Sequence, residues 1–273
     1  MRNLSILFIA FFLFFYEVKS QNITSVKKII LVNSPQAASI DLQGNVYVAL
    51  KNGIVCKYNE QGDSLISFVP MQNIPPDVIE AWIGVRILLF YRDLQKYIWL
   101  NRFMSPIEEV TLDNPELGFV RLLTYADDGN LWLFDEQNFA IKKYNPLTKK
   151  VMLTISMALI EKEKALQIDF LREYQHTLWV LDSNNGIFVF DNFGNFKKNL
   201  HVSNLYFFTF FEDNIAYIQK KNLYLLHLYE GSTQNINLPI EHDYKSFFLI
   251  NKEKIFLFTD KEMIILSYYK KKP

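Results

Sequence analysis

Three stretches with a shared pattern decide the fold of this chain: Gly44–Ala49 (GNVYVA), Gly129–Phe134 (GNLWLF) and Thr177–Asp182 (TLWVLD). Each places an apolar strand with an aromatic residue near its middle directly after a short polar turn. Weaker copies occur at Ile215–Ile218 and Lys254–Leu257. The pattern returns about every 40 residues, and a period of that length filled with short strands is typical of a β-propeller.

Alignment of the repeats predicts an all-β fold, a six-bladed β-propeller with four strands in each blade. The turns at 52–53 and 127–129 carry Asn, Asp and Gly, which accept the positive φ that tight hairpins need. Only Met157–Leu166 is helix-like, and we expect it to be an insertion between blades.

The two ends of the repeat array complement each other. The C-terminal end supplies only three strands, predicted at Phe247–Ile250, Ile255–Phe258 and Met263–Tyr268. A spare strand is predicted at the other end, at Lys28–Val32. We therefore expect the last blade to be closed by the N-terminal strand, which protects sheet edges from aggregation.

The first 20 residues have the features of a secretory signal peptide. Arg2 supplies a positive start, and Ile6–Phe15 is an unbroken apolar run. That run is shorter than the ~20 residues that a spanning helix needs. The sequence predicts residues 1–20 as signal peptide, cleaved after Ser20, and residues 21–273 as a single propeller domain. We expect the mature chain to be exported, periplasmic or secreted, and to have no membrane span.

Charge and cysteine content narrow the choice of partners. Lys and Arg number 29, and Asp and Glu also number 29, so no net field attracts nucleic acid or an anionic membrane. Cys56 is the only cysteine, so no internal disulfide can form, and its place in a predicted strand indicates a small buried residue. The four histidines are too widely spaced to suggest a metal site.

The segment Ser39–Ala49 (SIDLQGNVYVA), continuing to Tyr58, resembles the repeat of the NHL-repeat and TolB-like group of six-bladed propellers. That repeat reads as Asp, two residues, Gly-Asn and then an apolar–aromatic strand. Blade three matches it well, blade four in part, and the other blades in pattern. The resemblance implies the fold but no single activity, because the group includes protein-binding scaffolds, sugar-lactone hydrolases and lyases.

Lactonase members of that group hold a metal in the central channel with Glu, Asn and Asp near the starts of the inner strands. The resemblance implies these candidate positions here: Asp41, Glu80, Asp169 and Asp243. Blade three offers only Gly118, which departs from that pattern, and Asp41 and Asp169 are better explained as turn or strand-end residues. Neither a Gly-x-Ser-x-Gly elbow nor a phosphate-binding loop occurs. We predict no catalytic residue, metal or cofactor.

Blade two contains the least propeller-like segment, Glu80–Asp93. Arg, Trp and Tyr are the residues that anchor interfaces, and the loop between second and third strands shares the usual binding face of propellers. The sequence therefore predicts a partner-binding patch, made of Glu80, Trp82, Arg86, Tyr91, Arg92 and Asp93. The alternative is that Arg86 pairs with Glu80 within the blade, while Arg92 and Asp93 form a solvated turn.

These observations favour an exported, non-enzymatic protein-binding or scaffold module, whose partner is another envelope or extracellular protein. A metal-dependent hydrolase or lyase of the lactonase type is the first alternative, and a glycan-binding propeller is the second. The aromatic content of 16% is explained by packing between blades. Nucleic acid is not an expected partner, and the oligomeric state is left open.

Overall fold

The computed structural model describes residues 23–82, 84–160, 164–202, 204–238 and 244–268. In these ranges, 24 strands form six four-stranded antiparallel sheets, which is the six-bladed β-propeller that the sequence predicts. The predicted signal peptide and Asp243 lie outside the described residues.

The strands follow the predicted blades. Blade one contains β2 (Pro35–Ile40), β3 (Val46–Leu50), β4 (Val55–Tyr58) and β5 (Ser64–Phe68), and blade two contains β6 (Val78–Glu80), β7 (Arg86–Tyr91), β8 (Lys96–Asn101) and β9 (Pro106–Thr111). Blade three contains β10 (Val120–Tyr125), β11 (Leu131–Asp135), β12 (Ala140–Asn145) and β13 (Lys150–Ser156), and blade four contains β14 (Ile168–Tyr174), β15 (Thr177–Asp182), β16 (Gly186–Asp191) and β17 (Phe196–Leu200). Blade five contains β18 (Thr209–Phe211), β19 (Asn214–Gln219), β20 (Asn222–His227) and β21 (Thr233–Asn237).

Blade six joins the two ends of the chain. It contains β22 (Phe248–Ile250), β23 (Lys254–Phe258) and β24 (Glu262–Tyr268), and β1 (Ile23–Ile30) pairs antiparallel with β24. This pairing confirms the predicted closure by an N-terminal strand. The strand lies earlier than the predicted Lys28–Val32, because its ladder follows β24 along its whole length, from Ile30 opposite Glu262 to Ile23 opposite Tyr268.

The apolar core lies between the blades. Six buried clusters form, one at each junction of neighbouring blades. Trp132 and Tyr47, from the strands that define the repeat, are at most 2% exposed, as the packing interpretation of the aromatic residues predicts. Cys56 is also buried. The outermost strands of the blades face solvent, so β5 and β9 are mostly exposed.

Two segments differ from the prediction. β18 begins at Thr209 rather than at Leu205, although Phe208 before it is fully buried. The helix-like stretch Met157–Leu166 contains only one 3-10 turn, Met157–Leu159, among its described residues. Met157 is buried in the core, and its amide donates to the carbonyl of Phe139, so this 3-10 turn continues blade three.

The first strand of each blade lines the central channel. These inner strands, β2, β6, β10, β14, β18 and β22, begin at one face of the ring, called the bottom face here, and end at the other, the top face. Helix is limited to two 3-10 turns in the ranges that the structure describes. None of the helical segments there has the length and apolar character that crossing a membrane requires.

Candidate functional site

A layer of buried polar side chains crosses the middle of the channel. Five of the six inner strands each contribute a polar side chain to this layer. These residues are Ser39, Glu80, Thr124, Arg172 and Thr209. Burying polar groups is unfavourable unless they find partners, so their position inside otherwise apolar strands calls for a specific arrangement.

Glu80 is the centre of this polar layer and has no accessible surface. Its Oε1 accepts a hydrogen bond from Thr124 Oγ1 at 2.6 Å, and its Oε2 accepts one from the Tyr125 amide at 3.0 Å. Trp82 Nε1 donates to Oε2 at 3.4 Å. Because both oxygens accept from blade three, the carboxylate links neighbouring inner strands.

Arg172 is the ionic partner of Glu80, with Nε 3.5 Å from Oε1. It reaches across from blade four and is 7% exposed. Burial lowers the pKa of its guanidinium, and the charge of Glu80 opposes that shift. The guanidinium lies 5.1 Å from the centre of the Phe170 ring. Its Nε is buried and meets no acceptor at hydrogen-bonding geometry among the described residues.

Arg172 also divides the channel into two cavities. The top cavity, of roughly 270 Å³, is lined mainly by apolar and aromatic side chains, including Trp82, Tyr174, Phe211 and Ile250. The bottom cavity, of roughly 140 Å³, is lined by Asp77, Asp169 and Phe170, among others. Arg172 lines both, so a ligand entering from either face would meet its guanidinium.

The structure separates the carboxylates that the resemblance implied as metal ligands. Asp41 lies at the top, where its oxygens accept from the amides of Gln43 and Asn45, the Asn45 side chain and Tyr47 Oη, at 2.8–3.0 Å. Asp169 lines the bottom cavity, on the other side of Arg172. Glu80 lies between them in the polar layer. The three described positions therefore form no common ligand set, and Asp41 is a turn residue, which is the alternative that the sequence allowed.

A second cluster of titratable groups lies near the top-face ends of β10 and β14. Three residues form it, Asp127, Glu173 and His176. Each offers one atom that could bind a metal ion, and these three atoms lie within 4.8 Å of one another. Glu173 is buried, and its oxygens accept from the Asp127 amide at 3.0 Å and from Trp132 Nε1 at 2.5 Å. These hydrogen bonds tie blade three to blade four, which accounts for the position of Glu173 without an ion.

The residues of the predicted partner-binding patch fall into two groups on opposite faces. Trp82 lines the top cavity, and the Arg86 guanidinium lies 4.5 Å from the centre of the Trp99 ring. Arg92 lies on the bottom face, where its Nη2 is 3.2 Å from Asp77 Oδ1 and its Nε is 3.3 Å from Asp93 Oδ1.

Glu80 and Tyr91 of that predicted patch are buried. The alternative of a Glu80–Arg86 pair is not what the structure contains, because the ionic partner of Glu80 is Arg172. The binding role of the six residues stays a prediction.

A lateral groove of roughly 710 Å³ runs between blades one and two, beside the bottom-face group. One wall is the connection from β5 to β6, where Val69 is 65% exposed and Met71 is fully exposed. Leu94 and Tyr91 line the other wall. The Tyr91 hydroxyl is buried without a hydrogen-bond partner among the described residues, and burial, with the charge of Glu109, raises its pKa to about 12.

Sequence reasoning missed Arg172 and the groove. A signal for Arg172 exists, since it is a charged residue within the inner strand β14, as Glu80 is at the end of β6. The exposed residues of the groove, such as Met71, carry no comparable signal, because a single apolar residue in a loop is ordinary.

No protein-family model and no curated protein matches the sequence. Solved structures do match. Virginiamycin B lyase from Staphylococcus aureus superposes with a TM-score of 0.62 and 12% identity, covering 89% of this chain and 99% of that chain. The WD40 domain of Pan2 from Neurospora crassa superposes with a TM-score of 0.62 and 9% identity, covering 87% of this chain and 90% of that chain. BamB from Moraxella catarrhalis superposes with a TM-score of 0.53 and 9% identity, covering 90% of this chain and 99% of that chain.

At identities this low, the likeness establishes the fold alone. Membership of the NHL-repeat or TolB-like group stays a prediction, since the matches do not single that group out. The chain is a six-bladed β-propeller, and its function has to be argued from its own residues.

Proposed function

We propose that this chain is an exported, non-enzymatic β-propeller that binds another envelope or extracellular protein through the groove between blades one and two. The observation that carries the proposal is the set of exposed apolar side chains, Val69, Met71 and Leu94, along one groove. Exposed apolar surface that forms a connected groove marks interaction sites more often than scattered apolar residues do.

The groove has the chemistry of a site for a polypeptide segment. Val69, Met71 and Leu94 would lose contact with water when an apolar segment covers them, which is favourable. The buried side chain of Tyr91 forms part of the groove wall.

The bottom-face group of the predicted patch lies next to this groove. Tyr91 and Leu94 line the groove, and Arg92 and Asp93 stand between them in the chain. Two contacts with Asp77 fix the position of Arg92. The Arg92 amide donates a hydrogen bond to Asp77 Oδ2 at 2.9 Å, and the two side chains form an ion pair. The loop is therefore positioned before binding, which limits the entropy lost when a partner docks.

The test is site-specific cross-linking followed by an affinity measurement. A photoreactive residue at Met71 is expected to capture one protein from the envelope, whereas the same residue at Leu147, 92% exposed on blade three, is not. With that protein purified, Met71→Glu is expected to weaken binding by about 30-fold or more, the effect of a hot-spot residue. Leu147→Glu is the matched control. Equal capture at both sites, or equal affinities, would refute the groove as the binding site.

Export is tested separately. The apolar run Ile6–Phe15 supports a cleaved signal peptide. Cell fractionation and N-terminal sequencing are expected to find the chain outside the cytoplasm and beginning at Gln21. A cytoplasmic chain that retains Met1 would refute export without bearing on the groove.

A lyase is the second candidate, because the matched structures include virginiamycin B lyase, one of them a catalytically inactive histidine-to-alanine variant with quinupristin. Against this reading, neither described channel cavity is lined by a histidine. Incubation of the purified chain with quinupristin, followed by mass spectrometry, tests it directly. Turnover that is absent with the heat-denatured chain would favour the lyase, and unchanged quinupristin would favour the binding module.

A further inference from the structure

Arg172 is a cation whose hydrogen-bonding capacity the protein does not use fully. A guanidinium carries five N–H donors in a planar fork. Its contact with Glu80 is a single long approach of 3.5 Å, and Nε has no acceptor at hydrogen-bonding geometry in the described part of the chain. Glu80, in contrast, accepts hydrogen bonds from Thr124, Tyr125 and Trp82. The carboxylate is therefore saturated, whereas the cation retains donors.

The top cavity leads directly to this cation. It is roughly 270 Å³ in volume, somewhat smaller than the ~300–1,000 Å³ of sites for drug-sized ligands. Aromatic and aliphatic side chains dominate its wall, with Trp82, Tyr174 and Phe211 near the mouth. A group that fills it must be apolar along its sides and must accept hydrogen bonds at its inner end.

Other charges at the cavity do not compete for this inner end. Asp41 accepts four hydrogen bonds from its own turn and from Tyr47. Glu212 and Lys252 are exposed at the rim, where solvent screens them and their charges are opposite. Among the described residues that line the cavity, Arg172 is the only buried cation.

We propose that the top cavity binds a hydrophobic carboxylate, with its apolar body against Trp82 and Tyr174 and its carboxylate on Arg172. Carboxylate is the anion whose planar geometry fits a guanidinium fork. A small aromatic acid and the C-terminal residue of a peptide share this chemistry. The site is separate from the groove between blades one and two, so it goes beyond the binding function proposed above.

The experiment compares probes that differ in charge alone. Binding of 3-phenylpropionate and of 3-phenylpropionamide to the full mature chain is measured by ligand-observed NMR titration. The acid is expected to bind at least tenfold more tightly than the amide. Acetyl-Gly-Gly-Phe with a free or an amidated C-terminus forms the second pair of probes. Preference for the free peptide acid over the small acid assigns the site to peptide ends, and the reverse order assigns it to small acids. Equal affinities of acid and amide in both pairs would overturn the proposal.

Variants of the ion pair locate the site. Arg172→Gln alone would leave Glu80 buried without its counter-ion and is expected to fold poorly. The double variant Glu80→Gln/Arg172→Gln removes both charges together, and it is expected to lose the preference for acid over amide. Glu80→Gln alone leaves the buried cation without its counter-ion, so it is expected to lower the melting temperature and, in the folded chain, to strengthen binding of the acid severalfold. Lys252→Gln at the rim is the control, with less than a threefold effect. A double variant that melts like the wild type but keeps the preference would overturn the assignment to Arg172.

Discussion

Asp135 offers a sharp test of how buried charge supports this propeller. It ends β11 in blade three and has no accessible surface. Its Oδ2 is 2.6 Å from Nζ of Lys142, which also donates to the carbonyl of Glu116 at 2.6 Å. Its Oδ1 accepts from the amides of Gln137 and Asn138 at 3.0 and 3.2 Å. The carboxylate thus joins a turn, a strand and the connection between blades two and three.

The substitution Asp135→Asn keeps the shape of the side chain and removes its charge. The Lys142 side chain, only 8% exposed, would become a buried cation with no carboxylate partner. Removing one partner of a buried ion pair costs about 3–5 kcal/mol. Since one kcal/mol shifts the melting temperature by about 2–4 °C in a domain of this size, we expect a melting temperature lower by about 6–20 °C.

The assay is thermal and urea unfolding of matched variants. Asp182 ends β15 at the equivalent place in blade four, but its described partners are neutral donors, Gln167 and Asn185 among them. Asp182→Asn should therefore cost less, about 1–3 kcal/mol. Asp135→Asn/Lys142→Met should recover most of the loss, because no unpaired charge remains. Equal losses for the two Asp→Asn variants, or additive effects in the double variant, would refute the role assigned to the ion pair.

Three further outcomes are expected. In a urea titration, Gly118→Ala should destabilise the chain by about 3 kcal/mol or more, because the new Cβ would overlap Asp135 Oδ1 at a backbone φ of +66°. Gly231→Ala is the control, since Gly231 has φ +68° and open space around it, and it should cost about 1 kcal/mol. Deletion of Ile23–Ile30 should lower the melting temperature by about 10 °C or more and cause association on size-exclusion chromatography, because the edge of β24 loses its partner; a monomer with unchanged melting would contradict the closure. The free energy of unfolding should fall as pH drops from ~4 towards 2, because both Asp191 and Asp135 are ionised in the folded state above this window. Hydrogen bonds, first from the Asn195 side chain, lower the pKa of Asp191 to about 2, and the pKa of Asp135 is lowered because hydrogen bonds from Lys142 and Asn138 outweigh the effect of burial. A flat acid profile would contradict the role of these carboxyls.

The periodic part of the fold could be predicted from the sequence because its causes are local. Short apolar runs and glycine turns, as in Val46–Leu50 after Gly44, specify a strand and its hairpin within a few residues. The helix-like stretch Met157–Leu166 illustrates the opposite case, since its described residues contain a single 3-10 turn. Burial of Met157 between blades three and four outweighed local helix propensity, and propensity is weak where tertiary contacts act.

The candidate sites depended on contacts between distant blades. The sequence singled out Glu80 as part of the predicted partner-binding patch. The alternative to that patch paired Glu80 with Arg86 within blade two. The actual partner, Arg172, comes from a blade two positions further along the ring. Arg92 and Trp82 were expected in one patch, yet successive strands of a blade run in opposite directions, which places them on opposite faces.

The sequence by itself determined the repeat, the number of blades and the use of an N-terminal strand to complete the last one, since period and turn chemistry act over short distances. The tertiary structure alone decided which buried charges meet in the channel, where cavities remain, and that Tyr91 is left without an acceptor beside exposed Met71. The physical reason is ring closure. Side chains from blades far apart in the chain approach one another only when all six sheets have packed around a common axis, and no local pattern encodes that approach.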